Sequence, residues 1–435
     1  MKKLFYLHIV FFLSLNITAL PQNAEWIVYT TTNSELPSNI VTSIAIDNYG
    51  NKWVGTNAGL VKFNGMGWKL YNTLNSGLPN NRIENVVIDN LDNKWIVSGF
   101  SRYKNKVLMF DGMNWTFFNS SNSLIPEDGI GCLAVDNIGN KWFGYSYGLL
   151  KYDDTDWTIY NASNSGLRGS YVECIAVDES NNKWMIGPEY QNFGLVKFDD
   201  LSWTIYEEPI SHQDDHWNMV VDKNGYKWIG MNGPWYPTDI GLLVFDNKEW
   251  TAYDTSNSGL PSNNIYCLAI DSVDNKWIGT SEGLAKFDGT NWIVYDQNNS
   301  GLPSNFISSI AVDKLGNKWV GTIGGLAVFN EAGIVSVEDE TIALKLQPID
   351  YVLFQNYPNP FNPTTTIRYS IPQSSNIVIK VFDILGKKIE TLVNTLKPAG
   401  NYEVTWNAVN LPSGIYFYQL RAGSFTDTKK MILLK

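Results

Sequence analysis

The 435-residue sequence has few cysteines, few histidines and few charges. Three Cys exclude a disulfide-stapled scaffold, and three His leave little for a classical zinc site, so we expect no metal and no other cofactor. No Ser-His-Asp set, P-loop or dinucleotide fingerprint is present, and no catalytic residue is assigned. The net charge of -11, and 39 acids against 21 bases within residues 22–350, argue against a nucleic-acid partner.

Long hydrophobic runs are also missing, except at the N-terminus. Lys2 and Lys3 precede an apolar run from Leu4 to Leu15, after which small residues follow. This order predicts a secretory signal peptide over residues 1–21, because the run is shorter than the ~20 residues that span a bilayer. No later stretch reaches that length, so we expect no transmembrane segment after signal removal.

Aromatic residues are abundant, and 14 of the 17 tryptophans fall in one repeating frame. Seven Lys-Trp pairs recur at spacings of 42 to 49 residues, and a Trp-x-x-(Tyr or Phe) segment recurs with the same period. Each unit holds four short runs rich in Val, Ile, Trp and Tyr, separated by Gly, Asn, Asp and Pro. Four short strands per unit are typical of a propeller blade.

The two ends of the repeat array are complementary. The seventh Lys-Trp unit, at residues 305–329, holds three strand-like runs and no following Trp-x-x-Tyr. The first Trp-x-x-Tyr, at Trp26–Tyr29, precedes the first complete inner strand. We therefore predict an all-β, seven-bladed β-propeller over residues 22–330, in which the N-terminal strand completes the last blade and no sheet edge is left open.

The three cysteines share one position in their units. Cys132, Cys174 and Cys267 each lie four residues before the aspartate that ends the first strand, where other units carry Ser or Asn. A free buried cysteine behaves as a small apolar residue. We therefore interpret these thiols as packing residues of the inner strand.

The consensus LPSNxIxxIAxDxxGNKWIGTxxGL resembles the two-component regulator propeller repeat, found in sensor regions of bacterial hybrid histidine kinases. The resemblance covers residues 26–330 in all seven units and is weakest in the fifth. It implies a β-propeller. It does not imply signalling by this chain, in which we find neither a transmembrane helix nor a helical kinase module.

After a predicted linker at residues 331–350, alternating β-runs with Gly and Pro turns predict a small C-terminal β-sandwich over residues 351–435. Three segments are similar to the type A C-terminal sorting domain of type IX (Por) secretion cargo: Asn356–Pro363 (NYPNPFNP), Leu411–Tyr416 and the terminal Lys430–Lys435. The resemblance implies that residues 351–435 engage the type IX secretion machinery. It also implies a secreted or outer-surface protein of a Gram-negative, Bacteroidetes-like bacterium.

Ligand contacts are expected where units depart from the repeat. The loop between the second and third strands is longer in units two, four and five, and in unit three it carries two tyrosines. The fifth unit also replaces NSGLP by a segment that holds both histidines of the mature chain. The predicted ligand-binding residues are Arg102, Tyr103, Tyr145, Tyr147, Tyr190, Phe193, His212, Asp214, Asp215, His216, Trp235 and Tyr236.

Aromatic rings beside carboxylates and amides suit sugar binding, because rings stack on the apolar faces of pyranoses while polar groups take the hydroxyls. We interpret the chain as a secreted or cell-surface propeller that binds a glycan or another extracellular ligand. Two alternatives stay open: a polysaccharide lyase or hydrolase that uses the acids and histidines of the fifth unit, and a protein-interaction or adhesion scaffold. Binding is favoured over catalysis.

Overall fold

The computed structural model divides the chain into two compact units, Met1–Ile334 and Val335–Lys435. It describes residues 25–65, 67–99, 105–127, 129–167, 171–188, 193–207, 216–232, 240–331, 333, 351–356, 358–398, 400–423 and 425–435. Every regular element within these ranges is a β-strand, as the sequence predicted.

The first unit contains 28 strands in seven antiparallel four-stranded sheets. In chain order they are β1 (Trp26–Tyr29), β2 (Val41–Ile46), β3 (Lys52–Thr56), β4 (Gly59–Phe63), β5 (Trp68–Tyr71), β6 (Ile83–Ile88), β7 (Lys94–Ser98), β8 (Lys106–Phe110), β9 (Trp115–Phe118), β10 (Cys132–Val135), β11 (Lys141–Tyr145), β12 (Gly148–Tyr152), β13 (Trp157–Tyr160), β14 (Cys174–Val177), β15 (Lys183–Pro188), β16 (Phe193–Phe198), β17 (Trp203–Glu207), β18 (His216–Val221), β19 (Lys227–Asn232), β20 (Leu242–Phe245), β21 (Trp250–Tyr253), β22 (Ile265–Ile270), β23 (Lys276–Thr280), β24 (Leu284–Phe287), β25 (Trp292–Tyr295), β26 (Ile307–Val312), β27 (Lys318–Thr322) and β28 (Leu326–Phe329).

Six sheets follow the chain, from β2–β5 to β22–β25, and we number them blades 1 to 6. Blade 7 combines β26, β27 and β28 with β1, whose Trp26 pairs with Phe329. Within a blade the strands are A to D from the inside outward. The A strands pack side by side, and β2 contacts both β6 and β26, so the ring is closed. The seven blades and the closing N-terminal strand confirm the prediction.

The apolar core of the propeller is distributed over the seven interfaces between blades. Each interface holds one hydrophobic cluster, to which strands A to D of the two neighbouring blades contribute. Between blades 1 and 2, for example, Trp53 packs with Ile96, Leu108 and Phe110. Each large apolar side chain buried in this way contributes about 1.5–3 kcal/mol.

A buried hydrogen-bond unit repeats in every blade and joins it to the next. The aspartate that ends the A strand accepts a hydrogen bond from the indole Nε1 of the Lys-Trp tryptophan, at 2.9 Å between Asp89 and Trp95. The lysine beside each such tryptophan lies over the tryptophan ring of the preceding blade, as Lys141 does over Trp95. The seven tryptophans that donate to aspartate are Trp53, Trp95, Trp142, Trp184, Trp228, Trp277 and Trp319.

The connections between blades explain why NSGLP recurs together with Trp-x-x-Tyr. The glycine of this connection packs against the D-strand tryptophan of the next blade, so closely that an added Cβ would lie 2.2 Å from Trp203 at Gly166. The glycines in this position with such a contact are Gly77, Gly166, Gly259 and Gly301. The glycine is therefore required by close packing.

The turns divide between two faces. The connections from strand D to the next strand A lie beside the B–C turns, because the Gly99 N–H donates to the Arg82 carbonyl and the Ser281 N–H to the Asn264 carbonyl. We call this the upper face. The A–B and C–D turns lie at the other ends of the same strands and form the lower face.

The cysteines occupy the inner-strand position that the sequence assigned to small side chains. All three are free thiols. The Cys132 Sγ lies 3.6 Å from the Val172 carbonyl oxygen of the next blade, and burial raises the pKa of the Cys267 thiol. These thiols therefore serve contacts between blades.

The second unit consists of two sheets around one core, in agreement with the predicted sandwich. One sheet has the order β29-β30-β33 and the other β32-β31-β34-β35. Their bounds are β29 (Val352–Leu353), β30 (Thr364–Ile371), β31 (Ser375–Asp383), β32 (Lys388–Lys397), β33 (Gly400–Asn407), β34 (Gly414–Ala422) and β35 (Phe425–Leu433). The NYPNPFNP segment is anchored by Asn356, whose side-chain Nδ2 donates to the Thr365 hydroxyl and whose backbone N–H donates to the Tyr418 hydroxyl oxygen.

Candidate functional site

Most residues predicted to contact a ligand lie outside the described part of the chain. Those residues are Arg102, Tyr103, Tyr190, His212, Asp214, Asp215, Trp235 and Tyr236. Phe193 and His216 begin β16 and β18, but their side chains also lie outside the described residues. Tyr145 and Tyr147 are described completely, and the contact role of all twelve residues stays a prediction.

Tyr145 and Tyr147 lie at the B–C turn of blade 3, on the upper face. Tyr147 is 62% exposed, whereas Tyr145 is only 9% exposed and belongs to the cluster between blades 2 and 3. The two rings meet edge to face, with centroids 6.1 Å apart, and burial raises the pKa of Tyr145. Tyr147 can therefore meet a ligand, while Tyr145 supports it from the core side.

A cleft of about 280 Å³ opens beside this cluster, between the C and D strands of blade 2 and the connection to blade 3. Two of its lining residues, Phe118 and Ile125, pack in the same cluster as Tyr145. Asn105 and Lys106, which line its other side, follow the predicted residues Arg102 and Tyr103 in the sequence, with Lys104 between them. The remaining lining residues are Phe117, Asn119, Ser120, Pro126 and Glu127.

The polar wall of the cleft is held in place by buried hydrogen bonds. Asn105, 2% exposed, donates from Nδ2 to the Ile130 carbonyl at 2.8 Å and accepts the Ile130 N–H at 2.9 Å. It also donates to the Glu84 carboxylate at 3.2 Å. A side chain fixed in this way keeps the adjacent backbone in one conformation, which lowers the ordering cost of binding.

The cleft combines apolar side chains with groups of different hydrogen-bonding character. Phe118 and Ile125 supply apolar surface, and Lys106, Ser120 and Glu127 supply an amine, a hydroxyl and a carboxylate. The Ser120 hydroxyl donates to Glu127 at 3.4 Å, a long hydrogen bond that a ligand hydroxyl can replace. This set can bind a small polar ligand that has at least one apolar face.

Our sequence reasoning missed these lining residues, although a signal was present. The position after the proline of the connection is Ser or Asn in units such as those of Ser38, Asn80 and Ser304, but is Glu127 here. The position of Tyr71 in blade 1 is Phe118 in blade 2. The predicted contacts came from the B–C loops and from the connection that precedes blade 5, whereas the cleft is marked by departures in the connection between blades 2 and 3.

The fifth unit departs from the repeat in its backbone as well as its sequence. In blades 1, 2, 6 and 7 a β-bulge interrupts the start of strand A, as between Val41 and Ser43. In blade 5 the pairing runs without a shift from His216 opposite Asn232 to Val221 opposite Lys227. A β-bulge bends the strand that contains it, so the backbone of blade 5 departs from that of blades 1, 2, 6 and 7 at the end of strand A where its sequence also departs.

Two further observations concern the described residues only. Among them, no group of three or more His, Cys, Asp or Glu side chains is arranged to hold a metal ion. Within the same ranges, no helix is long and apolar enough to cross a membrane.

Comparison with solved structures supports the architecture. The chain is 17% identical, with a TM-score of 0.53, to the extracellular domain of the hybrid two-component system BT3049 from B. thetaiotaomicron. The alignment covers 94% of this chain and 57% of that one, so the chain spans little more than half the length of that neighbour. Selenomethionine-substituted virginiamycin B lyase from Staphylococcus aureus is 14% identical with a TM-score of 0.52, over 70% of this chain and 98% of the lyase.

Comparison with protein families finds one match within each unit, whereas a search of the curated proteins finds no match. Residues 355–434 match the secretion system C-terminal sorting domain, and residues 35–58 match the two-component regulator propeller. The sorting domain directs the chain by type IX secretion to the cell surface or extracellular space in Bacteroidetes. The chain is thus an exported protein in which a two-component regulator propeller precedes a type IX secretion C-terminal sorting domain.

Proposed function

We propose that the propeller is an extracellular recognition module that binds a carbohydrate, and that the cleft between blades 2 and 3 is part of its binding site. The observation that carries the proposal is the cleft itself: the aromatic ring of Phe118 and the side chain of Ile125 beside the polar groups of Lys106, Ser120 and Glu127. Ring faces pack on the C–H faces of a pyranose, and the polar groups take its hydroxyls.

The size of the cleft favours a short saccharide unit. Binding sites for drug-sized ligands occupy about 300–1,000 Å³, and a volume of about 280 Å³ lies just below that range. The cleft therefore fits one or two sugar rings, and a longer glycan would extend over the upper face. Tyr147, exposed on the same face in blade 3, is placed to contact such an extension.

The destination of the chain supports a role in recognition outside the cell. The sorting domain places the propeller where extracellular polysaccharides are its accessible ligands. We further propose that the predicted signal peptide, residues 1–21, carries the chain across the inner membrane before the tail engages the type IX machinery.

A glycan array probed with the full chain tests the proposal, followed by calorimetric titration of any saccharide that binds. We expect Glu127→Asn, which installs the residue found at Asn80 in the preceding connection, to weaken that binding at least tenfold. The cause is the loss of a charge-assisted hydrogen bond to a ligand hydroxyl. Phe118→Leu should weaken it by a similar factor, because it replaces the aromatic ring that lines the cleft by an aliphatic side chain.

The matched control is Glu282→Gln, an exposed acid in the B–C turn of blade 6 on the same face. It should leave saccharide affinity unchanged. If no saccharide binds, or if Glu127→Asn and Glu282→Gln have equal effects, the cleft is not the carbohydrate site.

A further inference from the structure

The lower face carries an exposed apolar feature at the mouth of the ring. Each A–B turn has the pattern Asp-x-x-(Gly or Asp or Asn), and its third residue stands at the tip. In four blades this residue is apolar and 60% or more exposed: Tyr49 (60%), Leu91 (70%), Ile138 (73%) and Val273 (70%). We call these four side chains the apolar rim. In blades 4 and 5 the same position holds Ser180 and Asn224, and in blade 7 it holds the half-buried Leu315, so the rim covers blades 1, 2, 3 and 6 only.

The rim is held rigidly by the buried aspartates. The backbone N–H of Tyr49 donates to Asp47 Oδ1 at 3.0 Å, and that of Leu91 donates to Asp89 Oδ1 at 2.9 Å. Ile138 and Val273 make the same bond to their own aspartates. These are the carboxylates that the buried tryptophans also contact, so the tip of each turn is tied to the core.

Neighbouring turns are also tied to each other. The Asn48 N–H donates to Asp92 at 3.0 Å, and the Asn90 side chain donates to the Asn137 carbonyl at 3.0 Å. The Asn137 N–H donates to Asn181 at 2.8 Å, which extends the chain of contacts to blade 4. The apolar tips of blades 1, 2 and 3 are thus exposed to water in one fixed arrangement, and a partner that covers them incurs little ordering cost.

The charge around the rim is predominantly negative, and the exposed lysines of the A–B turns, Lys223 and Lys314, lie in blades 5 and 7, outside the four rim blades. The C–D turns lie outside the rim on the same face, and five of them begin with aspartate. Exposed carboxylates in these turns include Asp111, Asp153, Asp156, Asp200, Glu249 and Asp288, and the turn sequences contain a single lysine, Lys248. Hydrogen bonds from the turn lower the pKa of Asp153 to about 2, so that this carboxylate stays ionised.

We propose that the lower face is a docking surface for a basic protein segment that covers the rim with an apolar cluster and places lysines or arginines over the C–D turns. Charge complementarity selects this partner, because an apolar centre inside an acidic border matches an amphipathic cationic surface. A second copy of the propeller would bring its own acidic border into contact, and an anionic membrane would be repelled in the same way.

An amphipathic 18-residue peptide with leucines on one helical face and lysines on the other is the probe, titrated against the full chain at low salt. The rim variant combines Leu91→Ser, Ile138→Ser and Val273→Ser, and serine is native at this position in blade 4. We expect the rim variant to bind the peptide at least tenfold more weakly. The charge variant, Asp111→Asn with Asp288→Asn, copies Asn64 of blade 1, where the amide caps the same turn. It should bind about threefold more weakly with a reduced salt dependence.

Tyr147→Ser, on the upper face, is the control that should leave peptide binding unchanged. Equal binding by the wild-type chain and the rim variant would overturn the proposal, as would equal binding of a glutamate-for-lysine peptide. A chain that dimerises in sedimentation experiments, and loses the dimer in the rim variant, would show that a second copy occupies the rim and would equally overturn it. The proposal is independent of the carbohydrate cleft, which lies on the other face.

Discussion

The interface between blades 2 and 3 and the interface between blades 4 and 5 use the same residue positions with different electrostatics. At the first, the Lys141 amine lies 3.4 Å from Asp89 of the preceding blade and also pairs with Asp154. At the second, the Lys227 amine lies 3.4 Å above the Trp184 ring and donates to the amide oxygen of Asn247. The described residues show no ion pair to Lys227.

The same backbone position can therefore hold a buried lysine that is paired with carboxylates, as Lys141 is, or one that shows no ion pair among the described residues, as Lys227 does. Burial alone would raise the pKa of Asp89, but hydrogen bonds from Trp95 and Asn93 and the charge of Lys141 outweigh it and lower the pKa. Burial lowers the pKa of Lys227 to about 8, and the more distant Asp178 and Asp222 offset it only in part. Blade 5, whose inner strand has no bulge, is therefore also the blade whose lysine, Lys227, makes an electrostatically less favourable contact with blade 4.

Removing the central aspartate from each interface should give the largest contrast. Asp89→Ala leaves Trp95, Asn93 and Lys141 without their common partner, and we expect a loss of about 3–5 kcal/mol in the free energy of unfolding. Asp178→Ala leaves Trp184 and Asn182 unpaired but breaks no lysine ion pair. We expect a loss of about 1–3 kcal/mol, measured by urea denaturation followed through tryptophan fluorescence.

Asp156→Ala, an exposed change in a C–D turn, should alter stability by no more than about 0.5 kcal/mol. Equal costs for Asp89→Ala and Asp178→Ala would mean that the lysine contacts contribute nothing and that the two interfaces are energetically alike.

The regular interface was predictable from the sequence in outline, and its departures were not. The period of the tryptophans gives the blades and their number, because one four-stranded sheet cannot bury both of its faces without neighbours. The bond from Trp95 to Asp89 spans six residues, but the contact of Lys141 with Asp89 joins residues 52 positions apart in neighbouring blades. Only the folded ring brings such residues together.

The sequence predicted which face of the propeller carries the candidate site, but not which residues line the cleft. Alternation along β11 and the exposed B–C turn distinguish Tyr147 from Tyr145, but the burial of Tyr145 depends on how Ile125 and Phe118 of blade 2 cover it. The cleft likewise forms where Lys106 of β8 meets Glu127 of the connection. Pattern in the sequence marks where units vary, whereas a cavity depends on packing between units.

The pH dependence of the free energy of unfolding should reveal the unfavourable burial of the Lys227 charge. The pKa of Lys227 is lowered from 10.5 to about 8 in the folded chain, so the unfolded chain binds more protons between these values. The free energy of unfolding should therefore rise as the pH increases from 8 toward 10, by about 1–3 kcal/mol. Below pH 8 both states carry the charge, and the penalty is fully present.

Lys227→Met separates this effect from other groups that titrate in the same range, such as Lys318, whose pKa burial also lowers. We expect the variant to be more stable than the wild type at pH 7.5 and to lose most of the rise between pH 8 and 10. A variant that is less stable at pH 7.5, with the rise intact, would assign the penalty to a different residue.

The smallest expected effect comes from restoring the missing carboxylate. Asn247 occupies the left-handed turn position, with φ of 81°, that Asp154 and Asp200 occupy in blades 3 and 4 with φ of 77° and 71°. There Asp154 pairs with Lys141 and Asp200 with Lys183. Because nearly half of each of those carboxylate side chains is exposed, solvent screens the pair, and Asn247→Asp should stabilise the chain by only about 0.5–1 kcal/mol at pH 7.5.

The same substitution should raise the pKa of Lys227 and shrink the stability rise between pH 8 and 10. Asp200→Asn, the reverse change one blade earlier, should destabilise the chain by about 0.5–1 kcal/mol through loss of the Lys183 pair, and denaturation at the two pH values measures both variants. If Asn247→Asp changes neither stability nor its pH dependence, the low pKa of Lys227 originates in burial against the Trp184 ring alone. The two interfaces would then differ in packing and not in the number of carboxylates.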